Sequence, residues 1–326
     1  MKAQTVSILG LGRIGASVGL ALKASGFELS IIGYDEDRDT GRFAQEMGAV
    51  DKLNWNLLNA ATAADIVVLT LPFKDLENAL KIIGDDISSH TLVIDMGSIK
   101  AQGLKWAKMH LKRGHYVGAS PVLSAAKLTD SRLSVKAAEA DLFKDSVYCI
   151  VPSPTAEPKA VETAVNFGRL LGATPFFLDA LEYDSLLHGV ETAPGLLAAA
   201  LFRAVQKSPG WRDILRFAGL PFALATTGLE NIDLAQLALQ DKEDSLYWLD
   251  SVLAELKEVR RLVAEGDLER LDLILDELAV ERLRWLHNRE KNDWTEEVEK
   301  PDLNQAGIGG QFFGILGRRG KDTPKS

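Results

Sequence analysis

From the N-terminus to about residue 179, short runs rich in β-branched and other apolar residues alternate with segments whose apolar positions recur every three to four residues. The runs are TVSILG, LSIIGYD, DIVVLTLP, TLVIDMG, HYVGA, SVYCIVP and TPFFLD. Strands that are apolar throughout are buried on both faces, and the helical segments between them supply the cover. The pattern therefore predicts a doubly wound α/β domain on a parallel sheet over residues 1–179. From residue 180 the strand signal stops and helical periodicity takes over, which predicts an all-helical domain over 180–300. Leu246, Leu249, Leu253, Leu256 and Val259 fall on one helical stripe, and Leu268, Leu271, Leu275 and Leu278 on a second. Gly266 and Asp267 between them fit a C′ glycine followed by an N-cap aspartate, so the two helices form a hairpin. Stripes of this kind belong to a core or a subunit interface, and a homodimer is the expectation.

Composition narrows the picture. A chain of 326 residues with 46% hydrophobic content has room for two cores. Its formal charge of −9 argues against nucleic acid or an anionic membrane as partner, but leaves room for a local patch that binds a small acidic substrate. Cys149 is the single cysteine, which excludes an intramolecular disulfide and fits a reducing compartment. Its place in the run VYCIV predicts a buried, inert thiol. The N-terminus enters a strand without a basic leader, and no window approaches twenty uninterrupted apolar residues, so a soluble cytoplasmic protein with no membrane helix is expected. Residues 301–326 carry the glycine-rich stretch AGIGGQFFGILGRRGK and read as a loosely docked tail. Phe312, Phe313, Ile315 and Leu316 make partner binding the alternative there.

The first strand runs into Gly10-Leu11-Gly12-Arg13-Ile14-Gly15, a GxGxxG loop at the mouth of a helix. The first glycine allows the tight turn, the second lets a pyrophosphate approach the backbone, and the third lets helix and strand pack closely. Free N–H groups at the helix start favour the phosphates. Asp35 ends the second strand, where a carboxylate accepts hydrogen bonds from a ribose and repels a 2′-phosphate. A Rossmann domain binding NAD is the reading, and Arg38 keeps NADP as the alternative. Ligands of such sheets sit beyond the carboxyl ends of the strands. Those ends are Leu71 and Pro72, Gly97 to Lys100, and Gly118 to Pro121. Ser98 and Lys100 offer a hydroxyl and a cation there. None of the five histidines has a metal-ligand spacing, and there is no GxSxG elbow, so neither a zinc site nor a hydrolase triad is supported.

GLGRIGASVGLALK, ADIVVLTLP, VIDMGSIK and YVGASP, followed by GWRDILRFA and the closing hairpin, resemble in order and spacing the prephenate and arogenate dehydrogenases of tyrosine biosynthesis. The likeness runs from residue 1 to about 290. It implies an oxidative decarboxylation in which hydride leaves a ring carbinol carbon for the nicotinamide and carbon dioxide departs as the ring becomes aromatic. It also implies a histidine that takes the hydroxyl proton, oriented by a serine matching Ser98, and an arginine matching Arg216 that holds the ring carboxylate. A guanidinium fork suits that task because it bonds both oxygens.

This chain departs from the pattern. Ser120 stands at the place of the histidine, a loss of about 10²- to 10⁴-fold of proton-transfer assistance. Tyr183 and Asp184 replace a histidine-aspartate pair, ETAPG from Glu191 to Gly195 replaces a histidine-bearing run, and Leu215 precedes Arg216 where the family has threonine. Asp184, His188 and Glu191 share a helix face by spacing, so His188 and Glu191 are candidate substrate or acid-base groups, a helix-surface histidine being the plainer reading. Three functions remain in view. They are an NAD-dependent dehydrogenase of the prephenate and arogenate type using Ser98, Ser120 and water, a relative acting on another small carboxylate, and a catalytically silent NAD-binding regulatory dimer.

Overall fold

The structure, a computed structural model, describes residues 4–128, 130 and 132–292, so the glycine-rich tail lies outside the described residues. The chain divides into two compact units, Met1–Arg261 and Leu262–Ser326.

The first unit is built on an eight-stranded sheet. In chain order the strands are β1 (Thr5–Leu9), β2 (Ser30–Tyr34), β3 (Lys52–Leu53), β4 (Ile66–Leu69), β5 (Leu92–Asp95), β6 (His115–Val122), β7 (Val147–Pro152) and β8 (Thr174–Phe177). Their lateral order is β3-β2-β1-β4-β5-β6-β7-β8, so the winding direction reverses between β1 and β4. The phosphate loop after β1 opens at that switch point, where such sheets bind their ligands.

Alternation along each strand sends successive side chains to opposite faces. Val6 and Ile8 of β1 enter one core with Val68, Ile94, Val117 and Phe167, while Leu9 enters a second with Val67, Leu69, Val93 and Leu80. Helices α1 (Arg13–Ala24) and α2 (Arg38–Glu46) cover the first face. Helices α3 (Leu57–Thr62), α4 (Phe73–Ile83) and α5 (Lys100–His110) cover the second, and α6 (Pro158–Leu170) returns to the first.

The sheet is parallel, as the pattern predicts, except at one seam. β6 and β7 pair antiparallel, with Val122 opposite Val147, and β8 runs parallel to β7. A parallel return needs a crossover that carries the chain back to the far end of the sheet. Among the described residues of the 123–146 connection the helical turns are short and 3₁₀, at Ala125–Lys127 and Val135–Ala137, and these residues stay at the end where β6 finishes. The short edge strand β3 carries no run long enough to announce itself in the sequence.

After β8 everything described is helical. Helices α7 (Ala180–Leu187) and α8 (Ala193–Gln206) are joined by a π turn, His188–Thr192, and are followed by α9 (Trp211–Arg216), α10 (Leu220–Thr226), α11 (Leu234–Gln240) and α12 (Lys242–Glu265). Among the described residues, Ala180–Gln206 is one helical run long and apolar enough to cross a membrane by length and composition. It contains Asp184, His188 and Glu191, and its first segment packs on α5. In the second unit, Gly266 has φ +68° and the Asp267 side chain accepts from Arg270 N, opening α13 (Leu268–Lys291) as the glycine-aspartate pair predicts.

Candidate active site

Steric demands shape the phosphate loop. Gly10 has φ +98°, and a Cβ there would meet the Thr70 carbonyl oxygen at 2.6 Å. A Cβ on Gly15 would lie 1.9 Å from the Gly10 oxygen, so strand end and helix approach as only glycine permits. Gly12, by contrast, faces open space on the side where a pyrophosphate would come, its nearest neighbour being the Leu133 oxygen at 3.9 Å. Leu11 N donates to the Asp35 carboxylate at 2.6 Å and Asp37 N donates to its other oxygen at 2.9 Å. Asp35 is thereby held beside the loop at the tip of β2. Burial pushes its carboxyl up, and these two N–H groups oppose the shift. A cradle that a Cβ would fill, with a carboxylate beside it, fits a dinucleotide.

One feature of the loop is invisible in the sequence. Arg13 N donates to the Leu133 carbonyl at 3.2 Å, and the buried Arg13 guanidinium donates to the carbonyls of Asp130 and Arg132 and to the Asp130 carboxylate. Glu139 N donates to Ser17 Oγ at 3.0 Å. The 123–146 connection thus lies against the start of α1. The sequence carries no signal for it, because most of its partners are main-chain carbonyls that any residue supplies and the one carboxylate, Asp130, lies 117 residues away. Ile14 continues the first turn of α1, and Arg38 stacks over the Trp55 ring, 5.4 Å from its centroid.

At the ends of β5 and β6 a second cluster forms. Asp95 accepts from Tyr116 Oη at 2.5 Å and from Gly97 N at 2.8 Å. Lys100 is fully buried, and its ammonium donates to the carbonyls of Asp95 at 2.9 Å, Ala119 at 3.1 Å and Gly97. An ammonium has three donors. All three are committed to backbone, so the expectation that Lys100 binds substrate is corrected: it ties the end of β5 to the end of β6 and sets the spacing of Ser98 and Ser120. Burial pushes the ammonium pKa down, with Asp95 and Asp184 opposing.

Asp184 has a task of the same kind. Its carboxylate accepts from Lys100 N at 2.7 Å and Ala101 N at 2.9 Å. The N-cap of α5 is Ile99, which offers no side-chain oxygen, so α7 supplies the cap from 84 residues away in the chain.

Ser120 is 6% exposed and donates to the Gly97 carbonyl at 3.1 Å. The Tyr183 hydroxyl is buried, and desolvation pushes it far up. Ser98 is half-buried beside Gly97. Leu71 and Pro72 lie half-buried at the end of β4, where Pro72 precedes α4, and Phe73 N of that helix donates to Asp233. His188 is buried, with Nδ1 3.3 Å from Ser245 Oγ on α12.

The acid-base cluster that the spacing of Asp184, His188 and Glu191 allows does not form as one hydrogen-bonded set. Asp184 is taken by α5 and His188 by α12, and Glu191 sits in the π turn without a hydrogen bond to either. Solvent reaches Glu191, yet protein atoms crowd its carboxyl enough that burial pushes it up, with Lys100 opposing. Arg216 is not drawn into the cluster: its side chain is 78% exposed and lies 3.7 Å from Asp213 in its own helix. His115 starts β6, at the end of the strand remote from Ser120.

A family model described as the nucleotide-binding domain of prephenate dehydrogenase matches residues 18–175. The prephenate dehydrogenase of Bacillus subtilis is 26% identical over 283 residues, which are 82% of this chain and 72% of that one. The cyclohexadienyl dehydrogenase of Zymomonas mobilis is 23% identical over 266 residues, 80% of this chain and 89% of that one. The chain is similar to the prephenate and arogenate dehydrogenase family, most directly over the nucleotide-binding part at residues 18–175.

Solved family structures share the fold. Prephenate dehydrogenase from A. aeolicus, in complex with hydroxyphenyl propionate and NAD⁺, superposes with a TM-score of 0.75 at 22% identity, covering 87% of this chain and 98% of that one. Synechocystis arogenate dehydrogenase gives a TM-score of 0.66 at 20% identity, covering 86% of this chain and 100% of that one. Two positions at which the sequence resemblance places histidines are here Ser120 and Tyr183, both buried.

Proposed function

We propose that this chain is an NAD-dependent dehydrogenase that oxidatively decarboxylates prephenate or arogenate and works as a cytoplasmic homodimer. The observation that carries this reading is the glycine cradle with Asp35 beside it, opening toward the strand ends that bear Ser98 and Ser120. Residues 1–179 hold the dinucleotide and 180–300 complete the substrate pocket and the dimer. Asp35 disfavours a 2′-phosphate, and Arg38, which would attract one, is stacked on Trp55. Arg216, exposed on α9, is the proposed ligand of the ring carboxylate. When bound, the nicotinamide supplies the hydride acceptor. The chain's own groups orient the substrate and handle its proton.

The test is NADH formation by the purified protein given NAD⁺ with prephenate or arogenate. Turnover is expected, with kcat/KM for NAD⁺ exceeding that for NADP⁺ by about tenfold, or about 1.4 kcal/mol of discrimination. One observation favours a second reading, a silent NAD-binding regulator: the Ser120 hydroxyl already donates to Gly97. Tight NAD⁺ binding with no turnover of either substrate would establish it. Binding of neither NAD⁺ nor NADP⁺ would remove both readings.

The homodimer is supported by apolar stripes left open to solvent. Leu253, Leu256, Leu275 and Leu278 are each more than half exposed. Leucines at this exposure on a helical repeat are an interface pattern rather than scattered surface residues. Sedimentation velocity is expected to give twice the monomer mass, and Leu256→Glu with Leu275→Glu should shift the protein to monomer. A wild-type monomer at micromolar concentration would exclude the assembly.

A further inference from the structure

We propose that the Leu133 carbonyl is an internal competitor of the dinucleotide pyrophosphate. The Arg13–Asp130 contact holds it over the start of α1, so cofactor binding and this contact exclude one another; the proposal rests on the dinucleotide reading of the glycine loop.

The competition is for one hydrogen. A pyrophosphate at a glycine-rich loop takes the N–H groups exposed at the start of the following helix. Helix α1 starts at Arg13, and its first internal bond runs from Ala16 N to the Gly12 carbonyl at 3.0 Å, which leaves the Arg13 N–H outside the helix ladder. That N–H donates instead to the Leu133 carbonyl at 3.2 Å. The same oxygen is the nearest atom to a Cβ built on Gly12, 3.9 Å away, on the side that the second glycine of such a loop leaves clear for the ligand. A phosphate oxygen set against Gly12 and Arg13 would meet that carbonyl. Each residue has a single main-chain N–H, and two oxygens bearing negative charge repel when both crowd it.

The segment that carries Leu133 is weakly attached. Ser124 and Val135 are buried, and Val135 enters the core with Ala138 and Leu142. Between these two anchors no described residue is buried, and Leu133 itself is 57% exposed. A stretch with so few apolar contacts opens at low cost in free energy. Beyond Val135 the connection stays fixed to α1, because Glu139 N donates to Ser17 Oγ.

Arg13 is what ties the weak stretch to the loop. Its buried guanidinium donates to the Asp130 carbonyl at 2.6 Å, the Arg132 carbonyl at 3.0 Å and the Asp130 carboxylate at 3.1 Å. Arg132 donates to the same carboxylate at 2.8 and 2.6 Å, and Lys127 pairs with Glu139 and Asp141. Those pairs brace the connection internally and do not reach the glycine loop. One residue therefore grips twice, with its main chain on Leu133 and its side chain on Asp130, and it is the residue whose N–H the pyrophosphate needs. The apparent affinity for NAD⁺ is then the intrinsic affinity reduced by the fraction of molecules in which this grip is open.

Asp130→Ala removes the carboxylate from the grip and leaves every residue of the glycine loop in place. It is expected to tighten NAD⁺ binding by about tenfold in isothermal titration, the order of one charge-assisted hydrogen bond. The gain should persist at about 0.5 M salt, where a charge acting through solvent is screened. Binding that is unchanged or weaker, or a gain that vanishes at that salt, overturns the proposal.

Hydrogen exchange on the wild type needs no variant. Saturating NAD⁺ should speed exchange at the amides of Leu128, Asp130 and Arg132, whose acceptors all lie within the displaced stretch, while it protects the start of α1. Slower exchange at those three amides would mean that the connection settles onto the cofactor, and would overturn the competition while the dinucleotide reading stands. If neither wild type nor Asp130→Ala binds NAD⁺ or NADP⁺, that reading and the proposal fall together.

Discussion

Gly15→Ala should weaken NAD⁺ binding by about 30- to 150-fold, the equivalent of roughly 2–3 kcal/mol of overpacking strain at the loop. The methyl group would lie 1.9 Å from the Gly10 carbonyl oxygen and 2.7 Å from Thr70 Oγ1. Neither neighbour can yield cheaply. Thr70 Oγ1 donates to that same Gly10 carbonyl at 2.7 Å, and Gly10 N is tied to the Tyr34 carbonyl at 2.8 Å. Relief must come from α1 backing away from β1, which moves the helix N-terminus off the phosphate position and disturbs the Leu11 N–H that orients Asp35. Isothermal titration with NAD⁺ measures the loss. Affinity within threefold of wild type would show that loop and cofactor are not coupled in this way.

Lys100→Met should lower unfolding stability by about 3–5 kcal/mol, the usual cost of removing one partner from a buried charged set. Three carbonyls, of Asp95, Gly97 and Ala119, would lose their donor, and the carboxylates of Asp95 and Asp184 would lose the cation that offsets their burial. Lys100→Arg is not expected to rescue. Gly118 backs directly onto the lysine stem, where even a Cβ would lie 2.9 Å from Lys100 Cδ, so there is no room for a guanidinium. Urea unfolding followed by circular dichroism reads the change. A midpoint unmoved by Lys100→Met would mean that water satisfies the carbonyls and that the clamp is dispensable. Because the ammonium sets the distance between Gly97 and Ala119, the variant should also lose activity in molecules that remain folded.

Both arguments separate what local sequence encodes from what it does not. The glycine loop was legible because each glycine answers a demand made by residues close by in the chain. Asp35 was legible too, since its distance from the loop is set by one helix and one strand. The hairpin cap at Gly266 and Asp267 is equally local, and the structure reproduces it. Lys100 was placed near the site for a sound reason, its position after β5. Its role was misjudged because a cation on a strand end looks the same in sequence whether it faces substrate or three carbonyls. His188 and Glu191 were paired by helical spacing, an inference that fails where the helix widens into a π turn, and no residue type marks that turn in advance.

The sequence by itself determined the layered α/β architecture, the helical character after residue 179 and the dinucleotide cradle. These follow from periodicity, turn chemistry and short-range spacing. Only the tertiary structure decided the reversed direction of β7, the docking of the 123–146 connection on Arg13, the commitment of Lys100 and Asp184 to main chain, and the separate partners of Asp184 and His188. The physical reason is common to all four. A buried polar group must find a partner, and whether that partner is a backbone carbonyl, a helix terminus or solvent depends on segments brought together across dozens of residues.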